Sequence, residues 1–209
     1  MRARRHDRVM RVVDVVAAAV LLVLTAPVTA AVALAVRWRL GSPVLFRQVR
    51  AGRKGQAFTI HKFRTMLPEI APDGRPLSEE ERLTPLGAFL RGTSLDELPQ
   101  LVDVLRGSMA LVGPRPLYVD YLRLYTPVQA RRLEVRPGIT GLAQVSGRDE
   151  LPWDQRLALD VQYVDTRSVL LDLRILVLTA RRVVSGSGVT QTGHATNEMF
   201  TGSHDHAGR

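Results

Sequence analysis

The chain has no cysteine among its 209 residues, and only 5% of them are aromatic. Without cysteine, a disulfide framework and a thiolate metal site are both excluded, as is usual for a domain that faces the cytoplasm. The few aromatic residues and the scattered basic residues argue against a nucleic-acid-binding protein. Positive charge, in contrast, is abundant, because 29 Lys and Arg against 20 Asp and Glu give a net charge of +9. This excess favours anionic partners such as lipid headgroups, phosphates or nucleotides.

A second absence lies near the N-terminus, where no charged residue occurs from position 15 to position 36. A straight helix of this length would reach about 33 Å, enough to cross the hydrocarbon core of a bilayer. Arginines flank the run on both sides, so the positive-inside rule assigns no orientation. A signal peptide is disfavoured, since the run is long and is followed by Arg-Trp-Arg. Two arrangements stay open: a kinked spanning helix, or a re-entrant helix that turns at Pro27, where Thr25 and Thr29 could bond the freed carbonyls.

The rest of the chain predicts one modest domain of the α+β class, mostly helical with a small β-hairpin. We divide the chain into a basic N-terminus with its membrane helix (1–40), a domain over 41–200, and a disordered tail (201–209). Alternating residues at 44–50 and 57–62 predict the hairpin, around a Gly-rich loop. Helical patterns lie at 83–107 (in two pieces), 117–133, 152–164 and 170–184. The last is apolar but carries Asp172 and three arginines, which suits the membrane interface or the core.

The acidic pair Asp96-Glu97 stands at the start of a helical pattern. Ser94 and Glu97 have the spacing of a capping box. Pro99 instead favours Asp96 as the N-cap, because proline is tolerated only in the first turn, where its missing N–H costs little. In either arrangement Asp96 lies at the positive end of a helix, which suits phosphate binding and a poised carboxylate.

Four arginines in Gly- and Pro-rich loops could hold a guanidinium still for bidentate contact with phosphate: Arg91, Arg115, Arg136 and Arg148. Each alone could also be a solvated loop arginine. At the entrance of the apolar run, Arg11 and Asp14 are three residues apart and can pair on one helix face where the chain meets lipid headgroups. An ordinary exposed pair is an equal alternative.

Five strings, in order, resemble the bacterial sugar transferases, and in particular the monotopic phosphoglycosyl transferases. They are Phe-Arg-Gln at 46–48, Phe-Thr-Ile-His-Lys-Phe-Arg-Thr-Met at 58–66, Ser-Leu-Asp-Glu-Leu-Pro-Gln-Leu at 94–101, Leu-Val-Gly-Pro-Arg-Pro at 111–116, and Val-Arg-Pro-Gly-Ile-Thr-Gly at 135–141. The resemblance covers nearly the whole chain, and its length is similar to that of the small subfamily. The stretch 188–196 is most similar to the diacetylbacillosamine-phosphate transferases.

The resemblance implies a reaction: transfer of a sugar-1-phosphate from a UDP-sugar to undecaprenyl phosphate, with release of UMP, at the cytoplasmic face of the inner membrane. It also implies a re-entrant helix, a covalent intermediate on Asp96, Mg²⁺ bound by Asp96, and Glu97 as the catalytic partner. Lys62, Arg64, Arg115 and Arg148 match basic positions of the family.

Three questions remain open after the resemblance. The first is the donor, since a plain UDP-hexose used to start an exopolysaccharide is an alternative. The second is catalysis itself, because a membrane-anchored scaffold that binds anionic lipid has the same charge pattern. The third is the entrance motif, where the family has Lys-Arg-x-x-Asp and this chain has Met10 in place of the lysine. Oligomeric state is not predicted.

Overall fold

The computed structural model describes residues 2–147, 150–185 and 199–202. The α-helices are α1 (Arg2–Arg39), α2 (Glu79–Arg82), α3 (Pro85–Gly92), α4 (Gln100–Arg106), α5 (Pro127–Ala130), α6 (Leu142–Ser146), α7 (Trp153–Thr166) and α8 (Val169–Ser185). The strands are β1 (Leu45–Ala51), β2 (Ala57–Phe63), β3 (Ala110–Val112) and β4 (Gly138–Thr140). The mostly helical α+β class is confirmed, and the described residues contain one small sheet more than predicted.

Helix α1 is continuous from Arg2 to Arg39, with Pro27 inside it. Among the described residues, its segment His6–Arg39 is the one helix long and apolar enough to cross a membrane. The predicted break at Pro27 is not confirmed, because one missing N–H does not end a helix whose other turns stay bonded. The Thr25 hydroxyl donates to the Leu21 carbonyl (2.7 Å), so it does not serve the carbonyl that Pro27 leaves unbonded. The return of the chain to the same face stays a prediction.

Both ends of α1 pack against the rest of the domain. In its first half, Ala18 is fully buried in a first core that also contains residues of β2, α4, β3, α7 and α8. Near its end, Val32 and Val36 are buried in a second core with Phe63 and Leu90. The outward side chains between these contacts are apolar, and they include Val20, Val23 and Leu24. The helix therefore has one face on the domain and a large apolar surface that faces away from it.

Arg11 and Asp14 connect α1 to backbone groups of the domain. Arg11 donates to the carbonyls of Val104 (2.6 Å) and Leu105 (2.8 Å) at the C-terminal end of α4. Gly107 caps that end of α4, and its φ of 88° lies in the left-handed region that favours glycine. Asp14 Oδ1 accepts the N–H of Leu111 (3.0 Å) in β3. The predicted pair of Arg11 with Asp14 is therefore not formed, since each contacts backbone groups instead, and the contact of both residues with lipid headgroups stays a prediction.

Replacing Arg11 with Ala is expected to lower the free energy of unfolding by about 1–3 kcal/mol, because two charge-assisted hydrogen bonds and a cation at a helix C-terminus are lost together. Chemical denaturation of the detergent-solubilised chain measures the change. Arg8→Ala is the matched control, since Arg8 is an exposed arginine one turn earlier on the same helix. Equal losses in the two variants would contradict the capping role.

The hairpin lies within one residue of its predicted position, with Leu45 opposite Phe63 and Ala51 opposite Ala57. The second sheet was not predicted: β3 and β4 pair in parallel. Strand β4 lies in the Gly- and Pro-rich loop that contains Arg136, and β3 ends just before the loop that contains Arg115. Three-residue strands are too short to show an alternating pattern. They approach so closely that a Cβ on Gly138 would lie 2.1 Å from the Gly113 nitrogen, which is why only glycine fits there.

The second half of the domain differs from the prediction at residues 117–133 and at the short helix α6, which was not predicted. Residues 117–133 form two 3-10 turns, Val119–Leu124 and Arg131–Glu134, with α5 between them. A single helix is not formed because Thr126 starts a new capping box just before Pro127. A third core joins Tyr121, Leu157 and Phe200. Helices α7 and α8 lie close to their predicted positions, and residues 203–209 of the predicted tail lie outside the described residues.

Candidate active site

Asp96 and Glu97 lie in a one-turn 3-10 helix, Leu95–Glu97, directly before α4. Both predicted caps are wrong. Ser94 is left-handed (φ 57°) and its side chain makes no cap bond, while the N-cap of α4 is Pro99. Pro99 has no N–H for an i→i−4 bond, and the turn before it closes instead with i→i−3 bonds such as Leu98 N–H to Leu95 O (3.3 Å). The tight turn leaves both acids buried, at 6% and 9% exposure.

Glu97 is held by two cations from distant parts of the chain. Lys62 Nζ lies 2.6 Å from Glu97 Oε1, and Arg115 Nη2 donates to the same oxygen at 2.9 Å. Lys62 is on β2, two residues after the buried Ile60 and on the same face of the strand. Arg115 comes from the loop after β3. One carboxylate thus fixes the positions of two positive charges.

Asp96 is less restrained, since Lys62 Nζ lies 3.9 Å from its Oδ2. Burial raises the pKa of Asp96 above that of an ordinary aspartate, and the neighbouring Glu97 raises it further, while Lys62, Arg115 and Arg91 lower it. Arg91 donates to Thr65 Oγ1 (3.0 Å). Burial lowers the pKa of Arg91, which the Asp96 carboxylate opposes. A buried carboxylate with a raised pKa, surrounded by cations, is typical of a reactive group.

The raised pKa of Asp96 predicts the acid limb of the pH–activity profile. A nucleophilic carboxylate must be ionised, so the limb in kcat/KM should lie above the value of about 3.9 for a free aspartate. Lys62 is the strongest of the groups that lower the pKa of Asp96, and Lys62→Met should therefore move the limb to higher pH. Profiles of the variant and of Arg47→Met, an exposed cation on the same hairpin, test this. An unmoved or more acidic limb would contradict it.

Arg115 is positioned by a buried ion pair. Arg132 Nη2 donates to the Arg115 carbonyl (2.6 Å), and the same guanidinium holds Asp160 Oδ2 at 2.8–2.9 Å. The chain around Arg115 is also fixed by backbone bonds, because Gly113 N–H donates to Thr140 O (2.9 Å) and Gly138 N–H donates to Pro114 O (3.0 Å). The guanidinium is therefore delivered by a rigid loop.

The structure brings together Asp96, Glu97, Lys62, Arg115 and, through its charge, Arg91. It places Arg64 elsewhere, with its guanidinium on the carbonyls of Leu40 and Ser42 after α1. Arg136 lies near the N-terminal part of α1, where its Nε donates to the Gly107 carbonyl (3.1 Å). Arg148 lies outside the described residues. Substrate contacts by these three arginines stay predictions.

The acidic pair also bears on the predicted magnesium. Among the described residues, no group of three or more His, Asp or Glu side chains is arranged to hold a metal ion. Mg²⁺ needs no such group, because it keeps several waters and takes phosphate oxygens as ligands alongside one or two carboxylates. The adjacent carboxylates of Asp96 and Glu97 fit that requirement, with Asp96 as the predicted ligand.

Three side-chain pairs near the site were not predicted. His61 Nδ1 lies 2.8 Å from Asp103 Oδ1, whose Oδ2 accepts the His61 N–H (3.0 Å) and ties β2 to α4. Arg50 lies over the ring of Tyr118. The third is the Arg132–Asp160 pair. None shows a signal in the sequence, because the partners are separated by 28 to 68 positions and lie in different elements.

The structure thus combines a long apolar helix, which is long enough to cross a membrane, with a domain in which a buried acidic pair lies among cations. The profile of the bacterial sugar transferases matches residues 5–186, and the chain belongs to that family. It is 52% identical over 195 residues to the uncharacterised sugar transferase EpsL of Bacillus subtilis, covering 93% of this chain and 96% of the relative.

Two further relatives carry names that are more specific. The chain is 46% identical over 180 residues to the UDP-glucose:undecaprenyl-phosphate glucose-1-phosphate transferase of Caulobacter vibrioides, covering 81% of this chain and 67% of the relative. It is 40% identical over 192 residues to the exopolysaccharide production protein ExoY of Rhizobium meliloti, covering 84% and 85%. The family membership makes this chain a transferase.

Proposed function

We propose that the protein transfers a sugar-1-phosphate from a UDP-sugar to undecaprenyl phosphate in two steps, through a covalent intermediate on Asp96. The observation that carries the proposal is the division of roles in the acidic pair. Glu97 Oε1 contacts both Lys62 and Arg115 within 2.9 Å, whereas the Asp96 carboxylate stands 3.9 Å from the same lysine. The more weakly held carboxylate is the better nucleophile.

In the first step an oxygen of Asp96 attacks the phosphorus that carries the sugar. The bond from that phosphorus to the bridging oxygen breaks, and UMP leaves with the electron pair. In the second step an oxygen of undecaprenyl phosphate attacks the same phosphorus. The bond to Asp96 breaks, which restores the carboxylate and yields undecaprenyl-diphosphate-sugar. Each step exchanges one P–O bond for another and needs no further reactant.

The site's charges suit this exchange. Phosphoryl transfer depends mainly on alignment and on neutralising the charge of the phosphate oxygens. Lys62 and Arg115, fixed by Glu97, can do this in both steps without moving. Mg²⁺ held by Asp96 would add charge neutralisation when bound. The low exposure of Asp96, 6%, would protect the phosphorylated intermediate from water until the lipid phosphate arrives.

The contacts of α1 support a re-entrant arrangement at the cytoplasmic face of the inner membrane. A spanning helix would place its two ends on opposite faces, yet Ala18 and Val36 both pack against the same domain. An arrangement with both ends of α1 on one side of the membrane satisfies both contacts and presents the apolar surface to lipid, provided that the continuous helix bends at Pro27 within the bilayer. The exposed Trp38, with Arg39 stacked on it (4.9 Å), suits the headgroup level.

Cysteine labelling tests the arrangement directly, because the chain has no cysteine of its own. Single Arg8→Cys and Arg39→Cys variants place a thiol at exposed positions on either side of the apolar run. An impermeant maleimide should label both only after the cells are opened. Asp120 is exposed on the domain, so labelling of Asp120→Cys reports on which face of the membrane the domain lies. Labelling of Arg8→Cys and Arg39→Cys from opposite faces would rule out the re-entrant arrangement.

Two donor classes remain as specific proposals. The names of the relatives favour a UDP-hexose used in exopolysaccharide synthesis. The stretch 188–196, which lies outside the described residues, is the basis for a diacetamido sugar. UMP release from a panel of UDP-sugars, with undecaprenyl phosphate and Mg²⁺, separates them. Release with one donor supports the proposed function and names the sugar, whereas no release from any donor would favour a non-catalytic, lipid-binding scaffold.

A further inference from the structure

Arg50 occupies a fixed position beside the candidate active site. It is the next-to-last residue of β1, and the following Ala51 N–H donates to the Leu117 carbonyl (2.9 Å). This bond sets the end of the strand against the segment after Arg115, where Tyr118 lies. The Arg50 guanidinium carbon is 3.7 Å from the centre of the Tyr118 ring. Such a stacked cation keeps its N–H edge available for other partners.

The hydrogen bonds of Arg50 are incomplete. Its Nη2 donates to Gln48 Oε1, while its Nε is buried and bonds no atom of the described residues. No carboxylate of the described chain forms an ion pair with Arg50. Burial lowers the pKa of Arg50, which Tyr118 opposes, and the positive charge of Arg115 lowers it further. Buried guanidinium groups normally have their donors satisfied, and two neighbouring cations attract an anion.

We propose that Arg50, held on Tyr118 beside Arg115, binds a phosphate group of the substrate, and that this phosphate is the one that leaves with uridine. The inference rests on the proposed function. The chemistry required is a phosphate monoester or diester oxygen, which both UMP and undecaprenyl phosphate supply. The nucleotide is assigned because Tyr118 packs against the third core, which contains no described residue of α1, whereas α1 contributes to the first and second cores.

The test is equilibrium binding of UMP to the full detergent-solubilised chain with Mg²⁺. Arg50→Ala should weaken UMP binding about 10- to 100-fold, as the loss of a charge-assisted hydrogen bond predicts. Uridine, which has no phosphate, should bind equally well to the unchanged protein and to Arg50→Ala when it competes with UMP. Tyr118→Leu should weaken UMP binding in the same direction, whereas Tyr118→Phe, which keeps the stacking ring, should not. Arg47→Ala is the matched control, an exposed arginine of the same strand.

Three outcomes would overturn the inference. Arg50→Ala could bind UMP as the unchanged protein does, or lose uridine and UMP equally, which indicates a general structural role. It could also raise the KM for undecaprenyl phosphate without changing UMP binding, which would indicate that Arg50 binds the lipid phosphate. If the unchanged protein turns over and Arg50→Ala binds UMP as tightly as the unchanged protein does, this inference fails but the proposed function stands. If the unchanged protein neither binds UMP nor releases it from any donor, the proposed function fails as well.

Discussion

Replacing Asp96 with Asn is expected to lower turnover by at least about 10⁴-fold, because the amide has nearly the shape of the carboxylate but cannot act as the nucleophile. The fold should tolerate the change. Burial raises the pKa of Asp96, which means that the ionised form is disfavoured in the folded state, so at neutral pH a neutral side chain removes a cost. Initial rates of UMP release measure turnover, and thermal unfolding in detergent should give an equal or higher Tm.

The control for this variant is Asp120→Asn, which neutralises an exposed aspartate and should leave both rate and Tm unchanged. A turnover within about tenfold of the unchanged protein would contradict a nucleophilic Asp96, given the size of effect that loss of a nucleophile has elsewhere. A large loss of Tm in Asp96→Asn would instead indicate that the carboxylate stabilises the fold, against the direction of its pKa shift.

The second large effect is expected for Arg115→Ala, with kcat/KM falling by about 10²- to 10³-fold, as for other groups that stabilise charge in a transition state. Arg115 shares Glu97 Oε1 with Lys62, so its loss also removes one of the two cations that fix that carboxylate. Its position is set by the rigid loop and by Arg132. Because the guanidinium is placed in advance, the loss should appear in kcat more than in KM.

Arg123→Ala provides the comparison, since Arg123 is an exposed arginine of the following segment. Arg115→Lys should recover part of the activity by restoring a charge but not the planar, bidentate geometry. A fall in kcat/KM of similar size in Arg115→Ala and Arg123→Ala would mean that net charge, and not the placed guanidinium, is what the reaction needs.

The sequence predicted four of the site residues, from the type of side chain or from the family strings. Asp96 and Glu97 were recognisable as adjacent acids in a helical turn, and Lys62 and Arg115 from the strings that contain them. The sequence could not predict which acid the cations would hold. Lys62 and Glu97 are 35 positions apart, and their contact depends on how β2 packs against the turn before α4.

The predicted helix caps of the same region were wrong because of a nearby proline. The capping box and the Asp96 N-cap both assumed a helix that begins regularly, whereas Pro99 produces a 3-10 turn and a left-handed Ser94. Arg136 lies in a Gly- and Pro-rich loop as Arg115 does, and Arg64 lies in the same family string as Lys62. Arg64 and Arg136 nevertheless contact backbone carbonyls near opposite ends of α1. A loop arginine is equally suited to phosphate and to a carbonyl, so tertiary structure decides between them.

The long apolar run was predicted as a helix from its length and composition, and α1 extends from Arg2 to Arg39. Its contacts were not foreseen, because the buried face of α1 consists of residues of the same kind as its exposed face. Arg11 and Asp14 were predicted from their spacing to pair, either at the headgroup level or as an ordinary exposed pair, but both contact backbone groups of the domain. Arg11 thereby joins α1 to the C-terminal end of α4, the helix that follows the turn carrying Asp96.

Intact-mass measurement can detect the proposed covalent intermediate on Asp96 itself. The full chain is incubated with its UDP-sugar and Mg²⁺ but without undecaprenyl phosphate, so that only the first step can occur. We expect a mass increase of one sugar-phosphate, which peptide mapping locates on Asp96. The added mass should be lost when the lipid phosphate is supplied, and it should be absent in Asp96→Asn. An adduct that persists in Asp96→Asn, or turnover by that variant at the normal rate, would contradict the proposed intermediate.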